Sequence, residues 1–314
     1  GVARSTVGER PDFVGMAMDS SQAFMNLGSR ALAEGNETRA RALFEKSLKL
    51  RRRLHEWVNR PDVSAPARLK HGITSNLIAT LLAVCNVSGD SAVESMRTAG
   101  DRRRVMLAYA KIERAGEYSR EALKIAMARW DLDPGDIGSA RDVIRALAHY
   151  AGWSWLWGSR ESSYELIAEG LKVARCLLDK YPSDRPTMYA AADSMTAMAR
   201  LELSRGQANK ARELCDEAVR LTCQMLDSAT NRARHADEVG VLARGLLVGA
   251  DVARMQRNPN DEFWLLRRVI NTLAQFSIDV PQVGHLKDDV RRRLEVLATS
   301  SPSLELAAAC ASAL

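Results

Sequence analysis

The chain has 314 residues, a formal net charge of +6 at pH 7 and a pI of about 9.2. This length exceeds one average globular core, so it predicts two domains or one extended array. Apolar residues make up 46% and aromatic residues 5%. With alanine, leucine, arginine and glutamate abundant, the composition predicts almost pure helix and excludes a β-rich fold. Five cysteines without CxxC spacing argue against a disulfide framework or a zinc site.

The sequence also predicts where the protein is found. No apolar run approaches the ~20 residues of a membrane span, and no signal peptide is recognisable. We therefore expect a cytoplasmic protein with reduced thiols and no membrane insertion. Because the chain begins without methionine, we expect a piece of a longer protein. The mildly basic charge suits an acidic or nucleic-acid partner, but ordinary helical proteins reach it too.

The first predicted helix pair carries a spaced set of small and apolar residues. Within "FMNLGSRALAEGNETRARALFEKSLKL", residues 24–50, this set is Leu27, Gly28, Gly35, Ala40, Phe44 and Ser47. The small residues allow two antiparallel helices to approach closely. Gly35 suits a helix end with positive φ. Leu27 and Phe44 are expected to fill the seam between the two helices.

The same spacing recurs further along the chain. Around Gly158 the small positions are Ala151, Ser163 and Gly170; around Gly206 they are Ala199, Ala211 and Ala218, with Cys215 at the position of Phe44. The two glycines are 48 residues apart, as are Pro134 and Pro182. A period of this size predicts a repeat array with helices of about 18–23 residues.

Helices are predicted in chain order, with loops between them at glycine, proline and asparagine. Their ranges are 17–34, 37–58, 137–157, 160–180, 184–205, 208–229, 234–256, 260–277 and 283–298. The segment 61–134 contains helical stretches whose pairing the pattern does not assign, after a linker-like loop, "NRPDVSAPARLKH". Residues 1–16 are expected to form an N-terminal arm and 299–314 a C-terminal tail, either a short helix or frayed.

This spacing of L-G, G, A, F and a small residue resembles the tetratricopeptide repeat. The resemblance implies an all-α α-solenoid of antiparallel helix hairpins over residues 17–298, with a right-handed superhelical path and a concave groove. Because the helices exceed those of the 34-residue repeat, the chain is similar to the long-helix repeat regions of bacterial signalling kinases and transcription regulators. "DPGD" before "ARDVIRALA" adds to that similarity. These resemblances imply a regulatory or scaffold module for protein–protein interaction.

The repeat positions imply a partner-binding groove. Its predicted residues are Gln22, Met25, Asn26, Ser29, Arg145, His149, Trp155 and Arg200. In "AGWSWLWGSR", Trp153 and Trp157 are four residues apart and share one helix face, which predicts a core position for both. Trp155 points nearly the opposite way and is predicted to line the groove, where a large aromatic side chain anchors a partner.

Two other classes of function were weighed against protein or peptide binding. Triple-arginine runs at 51–53, 102–104 and 291–293 keep open a basic array that binds nucleic acid. Consecutive residues fan around a helix and carboxylates lie nearby, so solvated outer faces are the expected place for these runs. An enzyme within a helical barrel would need a site assembled across repeats.

The sequence predicts no catalytic residues, metal or cofactor. The five histidines form no metal-binding pair, and no GxxxxGK[ST], GxGxxG or GxSxG motif is present. Some tetratricopeptide domains bind peptide carboxylates through a clamp of lysines and asparagines. Met25, Asn26 and Ser29 occupy the equivalent positions here, so the lysine is missing and that activity is not expected.

Overall fold

The computed structural model describes residues 11–97, 101–156, 158–227, 236–275, 281–300 and 303–313. The described chain is helical and contains no β-strand. Its helices are α1 (Pro11–Ala33), α2 (Glu37–Val58), α3 (Ala67–Arg97), α4 (Arg102–Leu132), α5 (Ile137–Leu156), α6 (Arg160–Lys180), α7 (Arg185–Ser204), α8 (Ala208–Asp227), α9 (Ala236–Met255), α10 (Pro259–Gln275), α11 (Pro281–Ser300) and α12 (Leu304–Ala313). The all-α fold of paired helices predicted from the sequence is confirmed.

The chain forms two compact units, residues 1–153 and 154–314, where the sequence analysis treated 17–298 as one repeat domain. In the first unit, α1 packs on α2, α2 on α3 and α3 on α4. In the second, each helix from α6 to α12 packs on the next one along the chain, and α7 also packs on α9. Within each unit, pairwise packing of consecutive helices therefore builds the core.

The packing of α1 on α2 follows the predicted small positions, with one exception. Ala40 and Ser47 are fully buried, and Phe44 is 3% exposed. A Cβ placed on Gly28 would lie 2.5 Å from Cε1 of Phe44, so only glycine lets the ring fit there. The expectation that Leu27 fills the same seam was wrong, because its side chain is 46% exposed. The glycine and the phenylalanine form this contact without it.

Four helix pairs share one turn geometry. Gly35, Gly158 and Gly206 have φ between 74° and 82°, and Arg257 has φ 55° in the corresponding place. In each turn, the N–H of the residue that follows donates to the carbonyl five residues earlier in the chain: Asn36 to Ala31, Ser159 to Ser154, Gln207 to Glu202 and Asn258 to Ala253. This is the Schellman helix end. Arg257 adopts a conformation that costs a side-chain-bearing residue about 1 kcal/mol.

The segment 61–134, whose pairing the sequence left unassigned, is one long hairpin of α3 and α4. Each helix has 31 residues, longer than the 18–23 expected elsewhere. The "DPGD" turn follows, and Asp136 caps α5 by accepting from the N–H groups of Gly138 and Ser139. A polar network buries Arg129 between Asp136 and Asp142 at 2.5 and 2.8 Å, and thereby ties α4 to the start of α5.

The ends of the chain differ from the expected arm and tail. Helix α1 already begins at Pro11, inside the segment 1–16 assigned to an arm, while residues 1–10 lie outside the described part. The segment 299–314 contains α12, which packs on α11 and α10 and buries Leu306 and Cys310. The apolar spacing of α12 forms one more buried face, so this part of the tail belongs to the core of the second unit.

One described helix segment, Ala67–Gly89, is long and apolar enough to be a candidate membrane span. The expectation that no stretch approaches such a length was therefore wrong. However, 67% of its most apolar 18-residue window is buried inside the structure. The core helix of a soluble protein meets the same criterion, so the finding is weak evidence for a membrane.

Candidate functional site

Counting backwards from the shared turns places equivalent residues on the first helix of each pair. Positions are counted from the residue with positive φ in each turn. Thirteen residues before it lie Gln22, Arg145, Asp193 and Arg244. Six residues before it lie Ser29, Gly152, Arg200 and Asp251. We call these sets the −13 row and the −6 row. All eight residues are exposed or half-buried, in contrast to the buried small residues that pack each first helix on its second helix.

In the second unit, members of each row on adjacent first helices carry opposite charges. In the −13 row, Nη2 of Arg244 on α9 donates to Oδ1 of Asp193 on α7 at 3.0 Å. Burial alone would lower the pKa of Arg244, but Asp193 and the hydroxyl of Tyr189 outweigh it and raise the pKa. In the −6 row, Asp251 accepts from Arg293 at 2.7 Å and from Arg254 at 2.8 Å. Charged contacts therefore connect α7, α9 and α11 along this face.

Arg200 is the predicted groove residue with the most distinctive surroundings. Its side chain is exposed, yet desolvation by the surrounding protein lowers the pKa of its guanidinium. Arg244 lowers it further, whereas Asp193 and Asp251 raise it. Those two carboxylates are already hydrogen-bonded to other arginines. An accessible cation whose neighbouring carboxylates are engaged elsewhere can attract a carboxylate from a partner.

The four predicted groove residues of the first helix pair lie on one face of α1. Gln22, Asn26 and Ser29 are exposed and Met25 is half-buried. Nε2 of Gln22 donates to Oδ1 of Asn26 at 3.0 Å. The side chain of Arg51, from α2, donates to Oε1 of Gln22 at 2.9 Å. The sequence analysis did not include Arg51 in this site.

The predicted residues near the middle of the chain lie on α5. Arg145 is exposed, and its charge lowers the pKa of the buried Asp142, although burial dominates and raises that pKa overall. His149 is half-buried one turn further along. Trp155 is half-buried, and the guanidinium of Arg160 lies 5.1 Å from its ring centroid. The groove role of these three residues stays a prediction.

The predicted core role of Trp153 is confirmed. Its side chain is 7% exposed and packs with Cys85, Ile112 and Ala115. It lies so close to α3 that a Cβ on Gly89 would come within 1.6 Å of Cη2. Trp157, predicted to share this face, lies outside the described residues. The helical spacing of the tryptophans was thus sufficient to separate the buried Trp153 from the half-buried Trp155.

Several arginines of the three runs are engaged in contacts within the chain. Arg52 is paired with Glu121, Arg104 with Asp101, and Arg293 with Asp251 and Asp289. The expectation of solvated outer faces was wrong for Arg51, which is 3% exposed. Arg51 hydrogen-bonds to residues of α1 and α3. Paired and buried arginines have less capacity to contact phosphates than a free basic stripe has.

Residue types for metal or thiol chemistry are dispersed in the described part of the chain. There, no three His, Cys, Asp or Glu residues lie close enough together to hold a metal ion. Cys215 is 1% exposed, and burial raises the pKa of its thiol to about 12. Cys223 is half-buried, and Nη2 of Arg268 lies 3.2 Å from its Sγ. A buried protonated thiol is a poor nucleophile, so Cys215 has the properties of a packing residue.

The fold and these rows define a class of protein. It is a helical repeat protein in which similar residue types recur at the packing positions, whereas the residue types at the accessible positions vary. Two segments, residues 21–62 and 191–237, match the family model described as "Tetratricopeptide repeat". These segments include α2 and α8 together with the parts of α1 and α7 that follow residues 20 and 190, and each segment matches as a tetratricopeptide repeat. Repeats of this class support a protein-interaction scaffold.

Solved structures are similar to the chain at low sequence identity. The nuclear import adaptor Nro1, a hypoxic regulator of sterol synthesis, is 11% identical, with a TM-score of 0.50 and coverage of 96% of this chain and 87% of that one. BtubC (BKLC) from P. vanneervenii is 14% identical, with a TM-score of 0.49 and coverage of 84% and 91%. At this identity, the likeness to Nro1 shows the fold alone. No curated protein sequence matches the chain.

Proposed function

We propose that the chain binds a protein partner noncovalently, through an extended peptide segment that lies along the first-helix face of the repeats within a unit. In a right-handed tetratricopeptide array this face lines the concave groove. The observation that carries the proposal is the contrast between positions. The positions that pack the two helices of each pair bury alanine or glycine. The −13 and −6 rows, in contrast, are accessible and hold amides, carboxylates and guanidiniums.

The character of the two rows supports a protein rather than a nucleic-acid partner. Charges of both signs alternate between Asp193 and Arg244 and between Arg200 and Asp251. A phosphate backbone is bound best by a surface that carries only positive charges, and the carboxylates in these rows would repel it. A peptide presents carbonyl groups, amides and side chains of either charge, so it can complement such a mixed surface.

We further propose a noncatalytic scaffold role in the cytoplasm. The cysteines suit a reducing compartment, since Cys85, Cys215 and Cys310 are buried in the helical core as thiols. The pocket lined by Arg254, Glu262 and Arg293 is built of arginines and carboxylates that stabilise one another, without a nucleophile and base in contact. Binding alone accounts for these features.

Selection from a random peptide library displayed on phage tests the proposal. Peptides selected on the wild-type protein should bind Arg200→Ala or Asn26→Ala at least about tenfold more weakly, the effect of removing one anchoring contact. Lys210→Ala and Arg39→Ala are matched controls, because both exposed residues stand four positions after a turn, on second helices. They should leave the affinity unchanged.

The proposal is wrong if the control substitutions weaken binding as much as the first-helix substitutions. It is also wrong if the library yields no binder while a random-sequence single-stranded oligonucleotide binds with an affinity that falls steeply with salt. That second result would favour the nucleic-acid alternative, because counterion release makes phosphate binding strongly salt-dependent.

A further inference from the structure

Arg51 is a buried cation held by neutral groups. Its Nη1 donates to the carbonyl oxygen of Asn76 at 2.7 Å and to Oγ1 of Thr80, and its Nε donates to Oγ of Ser21 at 3.2 Å. Its Nη2 donates to Oε1 of Gln22 at 2.9 Å. Burial lowers the pKa of Arg51 to about 10, so the guanidinium stays protonated at neutral pH. Each of these acceptors is an uncharged oxygen, and the one nearest the surface belongs to a predicted groove residue.

A guanidinium has hydrogen-bond donors and no acceptor. The guanidinium of Arg51 therefore fixes which amide atoms of Gln22 and Asn26 donate and which accept. Gln22 must turn its oxygen towards Arg51, and its Nε2 therefore faces away. That Nε2 lies 3.0 Å from the side chain of Asn26 and can only donate, so Asn26 must present Oδ1 to it. The Nδ2 group of Asn26 is then left on the exposed side. The buried charge thus orients two successive amides and leaves a donor at the surface.

We propose that Arg51 is a positioning residue that sets the hydrogen-bond polarity of the first repeat, so that Asn26 donates to an oxygen acceptor of a bound extended peptide. The acceptor is a main-chain carbonyl or a carboxylate of that peptide. This inference rests on the proposed function, since it names the group that the first-helix face reads. Ser29, one turn further along and also exposed, adds a hydroxyl beside the donor.

The substitution Gln22→Glu separates this role from a structural one. A carboxylate at position 22 still accepts from Arg51 and supplies the negative charge that the buried guanidinium lacks. It has no donor, however, so Asn26 must turn its Nδ2 inward to bond with it and its Oδ1 outward. Stability should rise while the outward donor is lost. If Arg51 has only a structural role, Gln22→Glu should change protein stability and peptide binding in the same direction, or it should leave peptide binding unchanged.

The first measurement needs no ligand. Side-chain amide NMR spectra of the whole chain, labelled at asparagine and glutamine, should show both Asn26 Nδ2 protons exchanging rapidly with water. In Gln22→Glu, one of them should shift downfield and exchange more slowly, and the melting temperature should rise by about 2–4 °C. An unchanged Asn26 signal would overturn the orientation argued here. Gln256→Glu is the matched control, because Gln256 donates to Asn209 at 3.2 Å.

The second measurement uses peptides selected from the phage library on the wild-type chain. Gln22→Glu and Asn26→Asp should each weaken their binding by about tenfold or more. Asn26→Asp keeps the acceptor for Gln22 and replaces only the outward donor, so the fold is retained. The Gln256→Glu control should bind like the wild type.

The outcomes separate this inference from the proposed function. Peptides that bind Asn26→Ala more weakly but bind Gln22→Glu normally would overturn the role of Arg51 and leave the proposed function standing. If the library yields no peptide that depends on any first-helix residue, the proposed function fails and so does the peptide acceptor assigned to Asn26. The NMR spectra would still decide whether Arg51 orients the two amides.

Discussion

The two helix pairs that match the family model, α1–α2 and α7–α8, have the same backbone arrangement and different chemistry on it. The fully buried Ala40 and Ala211 stand five residues after Gly35 and Gly206, both of which have positive φ. At the accessible −13 position, Gln22 bonds to a buried arginine and Asp193 to an arginine of the next repeat. The position of Arg51 is taken by Thr222, whose hydroxyl donates to its own helix.

A second difference lies in how each seam is filled. The first pair joins glycine to a large ring, Gly28 to Phe44, whereas the second pair joins Ala199 to the smaller Cys215. A larger residue on one helix is thus matched by a smaller one on the other. Both seams keep a small residue on the first helix, whereas the residue that faces it and the residues of the accessible rows differ between the two pairs.

The largest expected effect tests whether the two seams are equivalent. Ala40→Trp and Ala211→Trp should each lower the free energy of unfolding by about 3 kcal/mol or more, because each side chain is fully buried where two helices meet. Urea unfolding followed by circular dichroism measures both. A melting curve left unchanged by Ala211→Trp would contradict the repeat assignment over 184–229.

The next largest effect concerns the contact between Gly28 and the Phe44 ring. Gly28→Ala should destabilise the protein by about 1–2 kcal/mol, because the new Cβ would lie 2.5 Å from the Phe44 ring. In a Phe44→Cys background the clash disappears, and alanine should stabilise the helix by about 1 kcal/mol relative to glycine. A double-mutant cycle measures this change of sign. Equal effects of Gly28→Ala in both backgrounds would show that the ring does not set the limit.

The turns provide a comparison within the second unit. Gly206→Ala should cost about 1 kcal/mol and Arg257→Gly should gain about 1 kcal/mol, because both positions have positive φ and only glycine adopts it without strain. Thermal unfolding of the two variants measures the pair. If Arg257→Gly is neutral, side-chain contacts of Arg257 compensate for its backbone conformation.

The smallest effect concerns the charged rows. Asp193→Asn should cost about 0.5 kcal/mol in 0.1 M salt, because the Asp193–Arg244 pair is about one third exposed and surface pairs contribute little. The cost should shrink in 1 M salt, where exposed charges are screened. Gln22→Ala, which removes a neutral group, should show no comparable salt dependence. A large, salt-independent cost for Asp193→Asn would instead indicate a structural pair and not a binding surface.

Part of the accessible face could be predicted from the sequence. Gln22, Ser29 and Arg200, at the −13 and −6 offsets from Gly35 and Gly206, were predicted from the sequence, whereas Asp193, at −13 from Gly206, was missed. Arg244 and Asp251 were missed because their repeat has Arg257 where the others have glycine. The offset from Arg257 is the signal that could have found them. Glycine alone therefore does not mark every turn of this repeat.

The sequence by itself determined several of the helices and their ends. The ranges predicted for α2 and α6 agree with the structure, because helix periodicity, glycine turns and small packing positions are local properties that neighbouring residues encode. Only the tertiary structure decided that Arg51 is buried, that Leu27 is exposed and that Asp193 bonds to Arg244. Those outcomes depend on which side chains of other helices surround each residue, and residues far apart along the chain supply them.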